Sequence, residues 1–139
     1  MKEFSLVIPC YNEEKNIKIL LEVLKENIQN KKYIEVIIVD NGSTDNTLEV
    51  IRNSFIYKNK LIKLTEVNKN TGYGNGIKKG INSSTGNFIG WCHGDLQTDM
   101  KDIIFSYEKN KNVLEEKNSV LKGIRTNRSL FDNFFTKTM

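Results

Sequence analysis

Glu35-Val36-Ile37-Ile38-Val39-Asp40-Asn41-Gly42-Ser43-Thr44-Asp45 is the stretch that decides the fold. Its apolar residues are consecutive, not alternating, which suits a strand covered on both faces and hence a parallel sheet. The run stops at turn-forming residues. Ser43-Thr44-Asp45 then offers N-capping oxygens to a helix that continues through Leu48 and Ile51. Upstream, Phe4-Ser5-Leu6-Val7-Ile8-Pro9 is built the same way and stops at Cys10-Tyr11-Asn12-Glu13-Glu14. Downstream, Asn87 to Cys92 runs into His93-Gly94-Asp95-Leu96-Gln97-Thr98-Asp99. Open α/β sheets bind ligands beyond the carboxyl ends of their strands. Three strand ends with polar tips in one alternating array therefore imply one shared crevice.

Read along the whole chain, the pattern predicts strands at 4–9, 34–39, 61–66, 87–92 and 119–124. Helices are expected at 13–29, 45–54, 73–84, 99–115 and from about 128. The first helix carries Ile17, Leu20, Leu21, Leu24 and Ile28 at the 3.6-residue period. No repeat, low-complexity tract or linker interrupts the alternation. The expectation is one α/β domain over residues 1–139, a mostly parallel central sheet with helices on both faces.

Composition narrows the class. The chain has 139 residues, 38% of them hydrophobic, and a mean hydropathy of −0.46, which describes a polar globule large enough for a real core. No apolar run approaches the ~18 residues of a membrane helix. Met1-Lys2-Glu3 leads into the first strand and does not read as a signal peptide, so the expected location is cytoplasmic. Two cysteines, each at a strand end, argue against a disulfide framework. The net charge is +4. Most lysines lie on helix faces with acidic neighbours, but after residue 120 only Asp132 faces Lys122, Arg125, Arg128 and Lys137. Such an end meets solvent, phosphates or an anionic membrane surface. Leu130, Phe131, Phe134 and Phe135 form an apolar stripe among these charges, suited to packing on the domain itself, a second subunit, an acceptor half or lipid. A nucleic-acid-binding domain would rest on basicity alone, since no aromatic-basic motif accompanies it.

Asp95 leads the candidate chemistry. Mg²⁺ and Mn²⁺ take hard oxygen ligands, and a nucleoside diphosphate supplies several of them, so one or two protein ligands suffice. Asp95 offers a carboxylate, Gln97 an amide oxygen and His93 an imidazole better suited to Mn²⁺. In extended backbone, residues 93, 95 and 97 project to one side. The alternative is that Asp95 caps a turn and His93 packs through a hydrogen bond. Asp40, at the end of the second strand, is placed to accept from a base N–H or a ribose hydroxyl, or to close an Asx-turn. Asp45, Glu13 and Glu14 suit helix starts. Gly72, Gly74, Gly76 and Gly80 do not form G-x-G-x-x-G and follow the wrong strand for a dinucleotide fingerprint. They fit close helix packing better. One histidine and two cysteines offer no nucleophile–base pair.

Taken together, these segments resemble the family 2 glycosyltransferases of GT-A fold, a Rossmann-like three-layer sandwich. The blocks that carry the resemblance are Val7-Ile-Pro-Cys-Tyr-Asn-Glu-Glu14, Val36-Ile-Ile-Val-Asp-Asn-Gly-Ser-Thr-Asp45, Asn70-Thr-Gly-Tyr-Gly-Asn-Gly-Ile-Lys-Lys-Gly80 and Gly94-Asp-Leu-Gln97. Asp-Leu-Gln, with Gly123-Ile124-Arg125 and Arg128 after it, is most similar to the branch that glycosylates polyprenyl phosphates, dolichyl-phosphate mannose synthases included. The resemblance implies inverting transfer of a sugar from a nucleotide diphosphate sugar to an acceptor, a polyprenyl phosphate or a glycan, with Mg²⁺ or Mn²⁺. It implies Pro9, Tyr11, Asn12, Glu13, Asp40 and Gly94 at the nucleotide. Asp95 would be the metal-binding acid, with Gln97 and His93 beside it, and Arg125 would meet the donor phosphates. A lipid acceptor would put the enzyme at the inner face of the membrane. Two departures stand out. His93 replaces the first acid of the Asp-x-Asp motif, and the chain ends at Met139, short of the family's usual acceptor-binding region. A non-catalytic nucleotide-sugar-binding module, or a fragment completed by a partner subunit or a second copy, is the alternative.

Overall fold

The computed structural model describes residues 2–116 and 119–123. The chain forms two compact units, Met1–Phe105 and Ser106–Met139. The first holds a sheet of four strands, β1 (Phe4–Cys10), β2 (Ile34–Asp40), β3 (Ile62–Glu66) and β4 (Phe88–Trp91), in the order β3-β2-β1-β4. Every pairing is parallel, with Val7 opposite Ile37 on one side and Trp91 on the other. The two inner strands are the two continuous apolar runs, and all their residues are buried. A residue sequence without alternation can be buried throughout only if both faces of the sheet are covered.

The helices are α1 (Ile17–Ile28), α2 (Thr47–Asn53), the short α3 (Phe55–Lys58), α4 (Tyr73–Asn82) and α5 (Met100–Glu116). α1 buries Ile17, Leu20, Leu21, Leu24 and Ile28, the stripe its spacing predicts. It starts later than expected because the N–H groups of Glu13 and Glu14 bond across to Thr47 Oγ1 and Asp45 Oδ2. The second expected helix, 45–54, forms as α2 and stops at Ser54, whose backbone is extended and whose hydroxyl accepts from Tyr57 N–H to start α3, a turn of helix beyond the expected range. α4 lies close on the face of the sheet formed by Val7 and Val39. At Gly80 a β-carbon would fall 2.2 Å from Val7 Cγ1 and 3.0 Å from Val39 Cγ2, so only glycine lets this helix approach so near. On the opposite face, Ile103 of α5 reaches Gly90 beside the Phe4 ring.

The expected strand at 119–124 does not form over its described residues, 119–123. Val120 is 83% exposed and Leu121 44%. The helix expected from about 128, with Arg125, Arg128, Leu130, Phe131, Phe134, Phe135 and Lys137, lies outside the described residues.

Candidate functional site

The carboxyl ends of β1, β2 and β4 meet at a cleft of ≈ 210 Å³. Its wall is formed by Pro9, Cys10, Tyr11, Glu13, Asn41, Asn70, Tyr73, His93, Gly94 and Asp95. The three polar strand tips read from the sequence thus share one crevice, as the alternation implied. The parallel register explains it: Cys10 pairs with Asp40, and the chain after Trp91 leaves β4 beside the end of β1. Gly94 packs against this floor, where a β-carbon would stand 2.6 Å from Cys10 Sγ and 3.3 Å from the Pro9 carbonyl oxygen. Any side chain at 94 would push the Asp95 loop away from β1.

Asp95 lies in the wall and is half-buried. One of its oxygens, Oδ1, accepts the Gln97 N–H at 3.0 Å, which closes a turn. The segment is therefore bent and not extended, and Leu96 sits in the left-handed region with φ 62°. That overturns the expectation that 93, 95 and 97 project together: His93 and Asp95 line the cleft, whereas Gln97 is not part of its wall. The His93 ring stacks on Tyr73, with centroids 4.4 Å apart and planes 5° from parallel. Burial, and then the nearby Cys92 and Asp95, raise the Tyr73 phenol above its ordinary value, so it keeps its proton and its donor. Among the described residues, no three His, Cys, Asp or Glu side chains gather as a ready metal cage.

Asp40 is buried just behind the cleft and its Oδ1 accepts the Ser43 N–H at 3.3 Å, the turn-closing bond anticipated for it. Its neighbour Asn41 forms the wall instead. The Asn41 amide donates to Gly72 O at 3.1 Å and to Asn70 Oδ1 at 3.4 Å, tying the end of β2 to the start of α4. Asn12 likewise stands outside the wall, while Tyr11 and Glu13 on either side of it are in it. Asn41, Asn70 and Tyr73 are wall residues that the sequence reading did not single out. Asn41 follows Asp40 at a strand tip, and Asn70 and Tyr73 lie in the glycine-rich stretch that opens α4; only that proximity signalled them. The thiols of Cys10 and Cys92 are free and buried. Burial first, and then the Asp95 charge, push the Cys92 thiol up to about 12. Burial raises Cys10 as well, with Glu13 and Cys92 adding to it. Both remain protonated and unreactive as nucleophiles.

The sequence profile described as Glycosyl transferase family 2 matches residues 5–127. Dodecaprenyl-phosphate galacturonate synthase of Rhizobium johnstonii is 36% identical over 102 residues, covering 73% of this chain and 30% of that protein. Undecaprenyl-phosphate 4-deoxy-4-formamido-L-arabinose transferase of Yersinia enterocolitica is 31% identical over 140 aligned positions, covering 99% of this chain and 41% of that protein. The chain thus spans well under half the length of these relatives. Among solved structures, S. aureus TarS 1-349 in complex with UDP-GlcNAc superposes with a TM-score of 0.62 at 29% identity, over 78% of this chain and 32% of that one. The mannosyltransferase PcManGT from Pyrobaculum calidifontis shares the fold, with a TM-score of 0.67 at 23% identity over 77% of this chain and 31% of that one.

Proposed function

The chain belongs to glycosyl transferase family 2, and from that premise we propose that it moves a sugar from a nucleotide diphosphate sugar to a polyprenyl phosphate, with inversion and with a divalent cation. The observation that carries this reading is the cleft. It lies at the carboxyl ends of three parallel strands, has aromatic rings on its wall, and has two half-buried carboxylates there, Glu13 and, beside the close-packed Gly94, Asp95. The acceptor class is supported by the dodecaprenyl- and undecaprenyl-phosphate enzymes among the relatives. The donor class is supported by the likeness to a protein that binds UDP-GlcNAc.

In this reading Tyr11, Glu13, Pro9 and Gly94 bound the nucleotide pocket, with Asp40 behind them fixing the turn. Asp95 would hold Mg²⁺ or Mn²⁺. A lone carboxylate fits such an ion, because these cations are commonly held by one or two carboxylates plus substrate phosphates. When bound, the ion would supply positive charge to the departing diphosphate. The bond from the anomeric carbon to the diphosphate oxygen breaks, and a bond to the acceptor oxygen forms on the opposite face. The nucleoside diphosphate leaves with the electron pair. A phosphate acceptor is already ionised near neutral pH and needs no side-chain base. His93 contributes its stacked ring, and Gln97 holds the Asp95 turn through its N–H. The role of Arg125 at the donor phosphates is carried over from the family motif. A lipid acceptor would place the work at the inner face of a membrane; among the described residues no helix is long and apolar enough to cross one.

The test is calorimetric titration with UDP-, GDP- and CDP-sugars, with and without Mn²⁺, followed by a transfer assay to undecaprenyl phosphate. Cation-strengthened binding of one donor and formation of a lipid-linked sugar are expected. Binding without transfer would identify a nucleotide-sugar-binding module, and no binding of any donor would overturn the reading.

A further inference from the structure

Tyr11 and Glu13 line the cleft, but Asn12 between them does not. The Asn12 backbone is left-handed, with φ 56°. That conformation costs an L-residue free energy, and asparagine tolerates it better than most. A strained residue persists only where its surroundings hold it, and here they can be named. Asn12 N–H donates to Ser43 Oγ at 3.1 Å, and Asn12 Oδ1 accepts from Thr44 N–H at 2.8 Å and from Thr44 Oγ1 at 3.4 Å. The next two residues are held in the same way. Glu13 N–H donates to Thr47 Oγ1 at 2.8 Å and Glu14 N–H to Asp45 Oδ2 at 3.1 Å. The Glu14 carboxylate in turn accepts from the Asn46 side-chain amide at 2.8 Å. Residues 12–14 are thus stitched, one after another, to residues 43–47, some thirty positions away. The carboxylate at the centre of the stitching, Asp45, also accepts the Thr47 hydroxyl at 2.6 Å and its N–H at 3.0 Å. Burial alone would raise that carboxyl, but these donors more than offset it and hold it below its ordinary value.

We propose that Asn12 is a positioning residue: its left-handed turn, clamped to Ser43 and Thr44, holds Tyr11 and Glu13 facing the cleft and so sets donor affinity without touching the donor. The proposal rests on the reading of the cleft as a nucleotide site. A purely structural asparagine would affect stability across the sheet, and an asparagine in contact with the ligand would not need Ser43. Three variants separate these cases. Asn12→Ala loses the acceptor and strains the backbone. Asn12→Asp keeps the acceptor and tolerates the left-handed turn. Ser43→Ala removes a partner that lies outside the cleft wall.

Two measurements are made on each variant: the dissociation constant for whichever of UDP, GDP and CDP the wild type binds, and amide hydrogen exchange. Asn12→Ala should weaken nucleotide binding by about tenfold, the penalty expected for a left-handed alanine. Ser43→Ala should also weaken it, and Asn12→Asp should restore most of the affinity. Exchange in Asn12→Ala should rise at residues 11–14 and 43–46 while β1 and β2 stay protected. Unchanged affinity in Asn12→Ala would overturn the proposal. So would loss of affinity in Asn12→Asp with Ser43→Ala unaffected, which would mark a direct ligand contact. Failure of the wild type to bind any nucleotide would sink the donor reading alone; the exchange result would still decide whether Asn12 holds the loop, and unchanged exchange at 11–14 would overturn that.

Discussion

Replacing Glu35 with glutamine should weaken the fold by about 2–3 kcal/mol near pH 7, and the deficit should shrink steadily in acid. Glu35 is the second residue of β2, 4% exposed, at the end of the sheet opposite the cleft. Its Oε1 accepts from Ser5 Oγ at 2.6 Å, from Thr85 Oγ1 at 3.0 Å, from Gly86 N–H at 3.2 Å and from the Thr85 N–H. Its Oε2 pairs with Lys63 Nζ at 2.6 Å. Burial by itself would raise this carboxyl; the Lys63 ammonium, the Ser5 hydroxyl and the two Thr85 donors outweigh it and bring the value from an ordinary 4.5 down to about 2. Each unit is worth ~1.36 kcal/mol, so the charged form contributes about 3 kcal/mol of stability. The sign follows from the depression: the contribution is complete above the unfolded value of 4.5 and is lost as pH falls through about 2. Glutamine keeps an acceptor oxygen for Ser5 and the 85–86 backbone but turns an amide toward Lys63. That lysine is half exposed and can swing into water, so the loss is set somewhat below the full shift. Urea unfolding followed by circular dichroism, at steps from about pH 7 to about pH 3, measures the difference between wild type and Glu35→Gln. A difference that is absent near neutrality, or that stays constant with pH, would refute the argument that the network stabilises the charge.

The other predictions follow from the site and its supports. Asp95→Asn should abolish the gain in nucleotide affinity produced by Mn²⁺ and leave the unfolding curve unchanged; an unaltered gain by calorimetry would remove Asp95 from the metal. Gly80→Ala should destabilise the domain by ~1–3 kcal/mol, since the new methyl group must displace Val7 or α4; a neutral result in thermal unfolding would mean that the helix slides freely. Cys10 and Cys92, raised by burial, should be inert to a thiol reagent near pH 8 in the native protein, and two thiols should react after denaturation without reductant. Rapid labelling of the native state, or fewer than two thiols in the denatured one, would contradict that picture.

Hydrophobic patterning alone was enough for the two inner strands of the sheet. Val36 to Val39 and Leu6 to Ile8 are apolar without alternation, and a strand of that kind has one stable home, the interior of a covered parallel sheet. Alternation with helices then places the polar ends of β1, β2 and β4 side by side, so the location of the cleft and the presence of Asp95 in it were legible before any coordinates. These properties are local, and periodicity reports local properties well. What only the tertiary structure decided are contacts between residues far apart in sequence. No pattern announces that Glu35 binds Thr85, that Asn41 reaches Gly72, that His93 stacks on Tyr73, or that Asn12 turns away from the cleft to bond Thr44. Two local expectations failed. The 93–97 segment is bent because the Asp95 carboxylate captures the Gln97 N–H two residues on, and residues 119–123 form no strand although Val120 and Leu121 are apolar. A strand or a turn is chosen by which partners the folded chain brings within reach, and composition along the chain does not contain that distance.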